Sequence, residues 1–168
     1  CNTGVVDLGQ RTLVFDSGLT PEAGRALCAA AKALTKKVPS YLAISHYHND
    51  HIRGSQVFTE AVELATDRTR EMIATAGQAE LEEDRKNAKH ERALAESFAK
   101  GKNREKRKLA ALVLPYWQGM LASLPEIRLR LPDLTFNDQL TLYGSKRTAQ
   151  LISVGCGHTE GDCVLFLP

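Results

Sequence analysis

An α/β fold built on a mixed sheet is predicted by three features of this sequence. Short apolar runs alternate with longer stretches rich in Ala and Leu. A histidine-laden polar loop follows directly on one of the short runs, and the C-terminal part returns to short runs separated by glycine turns. Strand–helix–strand order of this kind belongs to layered α/β architectures.

Taken in order, Gly4 to Leu8 and Thr12 to Phe15 are apolar runs joined by Gly9-Gln10-Arg11, the pattern of a hairpin. Asp16-Ser17-Gly18 closes the second run with a change of direction. A helix is expected from Pro21 to about Leu34, with Thr20 as N-cap and Pro21 at the first helical position. Tyr41 to Ile44 reads as a short buried strand. The polar cluster Ser45 to His51 then falls at its C-terminal end, where open α/β sheets place ligands. Ala61 to Ala65 is a further apolar run.

From Asp67 to about Leu124 the composition shifts to Ala, Glu, Lys, Arg and Leu. Two long helices are expected there, broken near Gly101, the second carrying the only Trp (Trp117) and bending at Pro115. Short strands return at Thr135-Phe136, Leu140 to Tyr143, Ala149 to Val154 and Cys163 to Leu167. The organisation expected is one domain over 1–168 with a helical insertion at about 67–124.

Composition narrows the partners. With 168 residues, 43% hydrophobic and 25% charged, the chain has the balance of a globular domain with its own core. A net charge of +2 makes no global case for nucleic acid, and no apolar run approaches the ~20 residues of a membrane span. Four scattered cysteines (Cys1, Cys28, Cys156, Cys163) contain no CxxC pair, which favours a reducing compartment; a cytoplasmic location is the expectation. Cys28 and Cys163 read as core residues.

The chemistry concentrates in Ser45-His46-Tyr47-His48-Asn49-Asp50-His51-Ile52-Arg53-Gly54. Imidazole and carboxylate are zinc's preferred nitrogen and oxygen ligands. In an extended loop His46 and His48 face the same way and can share one ion. Asp50 and His51 follow as the chain turns into a helix, within reach of a second ion. Of five histidines, three lie in this loop; His158 sits in the glycine-rich turn Gly155 to Asp162, and His90 reads as a solvated helix residue.

His46-x-His48-x-Asp50-His51-x-x-Gly54, preceded by Phe15-Asp16-Ser17-Gly18 and followed by Gly157-His158-Thr159-x-Gly161-Asp162, resembles the metallo-β-lactamase superfamily in motif order and spacing. The resemblance implies the N-terminal half of an αββα sandwich. It also implies up to two Zn2+ ions, the first on His46, His48 and His158, the second on Asp50 and His51. Asp16 would brace the metal loop, or else act only as a turn aspartate capping the next helix. The family's bridging carboxylate and last histidine would follow Pro168, so the second site is expected to be incomplete in this chain. Asp162, four residues after His158 at a strand start, is no substitute by resemblance. Cys156 could offer a thiolate, although a small packed cysteine is the commoner case.

The function implied is a zinc-dependent hydrolase that uses metal-bound hydroxide on a small ester, lactone, thioester or β-lactam, with Asp50 orienting the nucleophile and relaying a proton. Two alternatives stay open. One is a ribonuclease of the same superfamily, for which the basic run Lys100 to Lys108 speaks and its acidic neighbours speak against. The other is an inactive metal-binding or self-assembling fragment. Half a sandwich leaves a sheet face bare, so a homo-oligomer is expected.

Overall fold

The computed structural model describes residues 1–168 and shows two compact units, Cys1–Gln78 with Ile127–Pro168, and Ala79–Glu126. The first unit holds two sheets. Strands β1 (Gly4–Asp7), β2 (Thr12–Phe15), β3 (Tyr41–Ala43), β4 (Val62–Thr66) and β5 (Leu134–Phe136) form a five-stranded sheet in that order. β1 and β2 make the expected antiparallel hairpin, while β2 to β5 run parallel. Strands β6 (Gln139–Leu142), β7 (Ala149–Gly155) and β8 (Asp162–Phe166) form a separate antiparallel sheet.

The five-stranded sheet is the mixed sheet the sequence predicts, and the last three strands part from it between Phe136 and Gln139 to form the second layer of the half sandwich. Alternation along the strands shows why both layers are needed. Leu13, Ala43 and Leu64 point into a core shared with Phe136, Ala149, Leu151 and Cys163, the seam between the two sheets. Their chain neighbours Val14, Leu42 and Ala65 point the other way, into a second core with Ala31, Ile44, Ile52, Phe58 and Ile73. Strands buried on both faces must be apolar at consecutive positions, as these are.

Helix α1 (Pro21–Thr35) begins as its sequence dictates. Thr20 caps it by accepting from the Ala23 amide at 3.2 Å, and Pro21 occupies the first turn, where a missing N–H costs nothing. Ala31 is buried in the second core. The single turn α2 (Asn49–Ile52) follows the histidine loop. Helix α3 (Asp67–Met72) continues directly from β4, capped by Thr66, and passes into a wider π-type turn over Ile73–Gly77.

The second unit is a helical hairpin formed by α4 (Gln78–Lys100), whose first residue belongs to the other unit, and α5 (Arg104–Ser123). The break comes at residues 101–103, where Asn103 caps α5 by accepting from the Glu105 and Lys106 amides. α5 runs on through Pro115. His90 is exposed, and no helix is long and apolar enough to cross a membrane.

Candidate metal centre

The site lies at the C-terminal ends of β2 and β3, where the loop after each strand is held by the other. The Asp16 amide donates to the Ala43 carbonyl at 2.8 Å, and the Ser17 amide to the His51 carbonyl at 2.9 Å. Gly54 closes the arrangement. A Cβ there would stand 2.0 Å from the Ser17 carbonyl oxygen, so only glycine lets the end of α2 lie against the β2 loop. The β7–β8 turn is brought in from the second sheet by the Cys163 amide, which donates to the Ser45 carbonyl at 2.9 Å. Thr66 and Thr69 hydroxyls, both buried, each donate to the Gly161 carbonyl at 2.7 Å.

This folding brings His46, His48 and His158 together. Their ligand atoms all lie within 4.8 Å of one another, with His48 Nδ1 and His158 Nε2 3.0 Å apart. The rings stand nearly perpendicular in pairs, at centroid separations of 4.8, 5.1 and 4.7 Å. Edge-on imidazoles with converging nitrogens match a tetrahedral ion, whose ligand atoms at ~2.0–2.1 Å from zinc are about 3.4 Å apart. The donor set thus fits a metal. Burial, together with the charges of His51 and His48, pulls the His46 pKa from 6.5 down to about 4, so His46 is neutral and free to ligate near pH 7.

Asp16 organises the loop behind these rings. It is 2% exposed and holds a left-handed backbone at φ 63°, which aspartate tolerates better than most residues. Its carboxylate accepts from the Ser45 amide at 2.8 Å, the Ser45 hydroxyl at 2.8 Å and His51 Nδ1 at 2.8 Å. Having donated to Asp16, Ser45 Oγ is placed to accept from His46 Nδ1 at 2.9 Å, leaving the lone pair of His46 Nε2 available. Asp16 also fixes His51 so that its Nε2 faces Asp50 Oδ2 at 3.5 Å. Of the two sequence readings of Asp16, this geometry is that of a brace. Ser45, directly before the motif, is the residue that sequence reasoning passed over.

The His51 ring centroid lies 4.0 Å from that of His46, with the rings tilted at 50°, so Asp50 and His51 adjoin the triad without joining it. Burial works against ionising Asp50, but hydrogen bonding from the Cys1 amino group and the nearby His51 hold its pKa below the ordinary value. Asp162 does not reach the triad as a ligand. It turns inward on its own loop, accepting from the His158 and Thr159 amides and the Thr159 hydroxyl. Cys156 is exposed and lines the adjoining cavity of about 340 Å³ with Tyr47, His48, Met72, Gly157, His158, Thr159 and Glu160. Cys163 is buried and Cys28 half-buried, in keeping with packing roles.

The fold has clear relatives among solved structures. A metallo-beta-lactamase from Pontibacter korlensis superposes with a TM-score of 0.62 at 15% identity, covering 98% of this chain and 54% of that one. FEZ-1 from Legionella gormanii gives a TM-score of 0.61 at 14% identity, with 98% and 50% covered. A metallo beta lactamase from Hirschia baltica gives 0.58 at 14%, with 96% and 52% covered. The chain thus spans about half the length of the structures it matches, and at these identities the likeness is one of fold. No curated protein matches the sequence. The family model for the metallo-beta-lactamase superfamily matches residues 1–168, and the chain belongs to that superfamily.

Proposed function

We propose that this chain carries the primary zinc site of a metal-dependent hydrolase acting on a small ester, lactone, thioester or β-lactam. One observation carries the reading: three imidazoles from two different sheets converge at the edge of a cavity, with ligand atoms within 4.8 Å of one another. His46, His48 and His158 would hold the first ion; Asp50 and His51 would face a second. Zinc, when bound, supplies Lewis acidity and lowers the pKa of its water to ~7.

The chain's own residues do the rest. Asp16 and Ser45 orient His46 and His51 before any ion arrives, so little reorganisation remains. Asp50, ionised and 37% exposed at its side chain, is placed to accept a proton beside the triad. Tyr47 and Met72 add apolar surface to a cavity that Thr159 and the acidic Glu160 also line, a lining suited to a small organic substrate rather than a polyanion.

The test is zinc uptake paired with turnover of a chromogenic lactam and an aryl ester. Tight uptake abolished in His46→Ala and His158→Ala, but retained in His51→Ala, supports the ligand assignment. Equal losses in all three variants would refute it. Cleavage of RNA instead of either small substrate would transfer the activity to the nuclease reading.

A further inference from the structure

Asp50 and His51 have a third neighbour of metal-binding chemistry. Cys1 as a residue is exposed, but its side chain is turned in, 2% exposed, with Sγ 2.6 Å from the Asp50 carbonyl oxygen. The Cys1 amino group stands 3.0 Å from Asp50 Oδ2. One ligand atom each from Cys1, Asp50 and His51 falls within 4.8 Å of the others. Nothing in the sequence marks Cys1 for this place. It comes near α2 because Gly4 pairs with Phe15, which sets the residues before β1 at the C-terminal end of β2, where the site lies.

We propose that Cys1 contributes a thiolate to a second metal position shared with Asp50 and His51. The inference rests on the reading above that His46, His48 and His158 hold a first ion. A thiolate, a carboxylate and an imidazole make three donors of a four-coordinate site, leaving one position open. Ligands around zinc or cobalt stand about 3.3–3.8 Å apart, so drawing the three donors in by about an ångström closes the site. His51 comes pre-oriented, its Nδ1 held by Asp16 at 2.8 Å and its Nε2 directed at Asp50. A sulfur donor also sets the metal class: zinc and cobalt are accepted, magnesium and manganese are not. On binding, the thiol loses its proton to solvent and sulfur forms one bond to the ion, with no change of oxidation state.

Anaerobic titration of the chain with Co2+, followed by absorption and by metal content, tests this. Cobalt bound by thiolate shows a near-ultraviolet charge-transfer band, while visible ligand-field bands report cobalt on the imidazoles and confirm that the fold persists. The expected result is two equivalents, the band arising with the second. Cys1→Ser, which keeps the amino group, should lose the band and the second equivalent while keeping the visible spectrum of the first. Asp50→Asn should weaken the same equivalent about tenfold or more, and Cys156→Ser should change neither. Visible bands without any charge-transfer band, or a band that survives Cys1→Ser and vanishes in Cys156→Ser, would overturn the proposal and leave the triad standing. No bound cobalt at all would remove both.

Discussion

Asp16 accepts three hydrogen bonds through one short carboxylate, so its replacement should be costly in two distinct ways. Asp16→Ala leaves the Ser45 amide and hydroxyl without their acceptor and forces a non-glycine residue lacking a polar side chain to keep φ 63°. Hydrogen bonds to a charged group are worth about 1.5–3 kcal/mol each, and their losses here are coupled rather than additive. A loss of about 2–4 kcal/mol in urea unfolding is expected, with a larger fall in zinc affinity than the stability change alone explains. His46 adds a pH signature. Its pKa is lowered on folding, so its contribution is whole above the ordinary 6.5 and drains away as the pH falls toward about 4. Metal-free chain should therefore lose stability across that window, and His46→Gln should flatten the profile. Glu63 acts in the opposite sense. It is 0% exposed, and burial pushes its pKa up to about 8, opposed by Arg130 with Nε 3.3 Å away. The Ser55 hydroxyl spends its proton on the Ile52 carbonyl at 2.6 Å, and neither Glu63 oxygen has a hydrogen bond of good geometry. A raised carboxyl pKa means stability that is full below 4.5 and lost as the pH climbs through about 8. Glu63→Gln should thus stabilise the chain more at about pH 9 than at about pH 5, as measured by thermal melting at both.

The elements divide into those that local chemistry announces and those that depend on distant partners. The β1–β2 hairpin, the Thr20 cap of α1 and the break at Gly101 were legible because turn, cap and breaker residues act on their own neighbours. The separation of β5 from β6 was not. Phe136 and Leu140 are alike in composition, and only the pairing of Leu134 to Phe136 with β4, against Gln139 to Leu142 with β7, assigns them to different sheets. Likewise, α3 and its π-type turn looked like part of one long helical stretch, since composition does not report where a helix ends against a core. The short α2 turn is the element on which the site depends most. Gly54→Ala should push it off the β2 loop, because its Cβ would collide with the Ser17 carbonyl, and Gly24 of α1 blocks retreat on the other side. Overpacking costs about 1–3 kcal/mol where side chains can yield, and a backbone clash leaves less room. The expected outcome is a melting temperature lowered by several degrees, with the His51 imidazole signal shifted in NMR spectra and that of His90 unmoved.

For the whole molecule, His46, His48 and His158 were legible as candidate ligands, but their meeting was not, because it depends on two sheets stacking. The outer face of the β6–β8 sheet carries Val154 at 49%, Val164 at 46% and Phe166 at 50% exposure, with Ile152 between them. Apolar groups gathered on one exposed face favour association. Light scattering should show self-association of this chain, reduced in Val164→Lys and Phe166→Lys; a monomer at high concentration for all three chains would refute it. The convergence of His46 and His158 has a thermodynamic consequence as well. One histidine follows a strand of the five-stranded sheet and the other lies in a turn of the antiparallel sheet, so an ion on both is a cross-link between layers that otherwise meet through side-chain packing and a few hydrogen bonds, such as that from the Cys163 amide to the Ser45 carbonyl. Such an ion binds the stacked state and not the separated one, and at a hundredfold excess over its Kd it adds about 2.7 kcal/mol to the stacking equilibrium. Chelation should therefore make the layers open more often: amide hydrogen exchange should quicken most in β7 and β8, where the clasp has been undone.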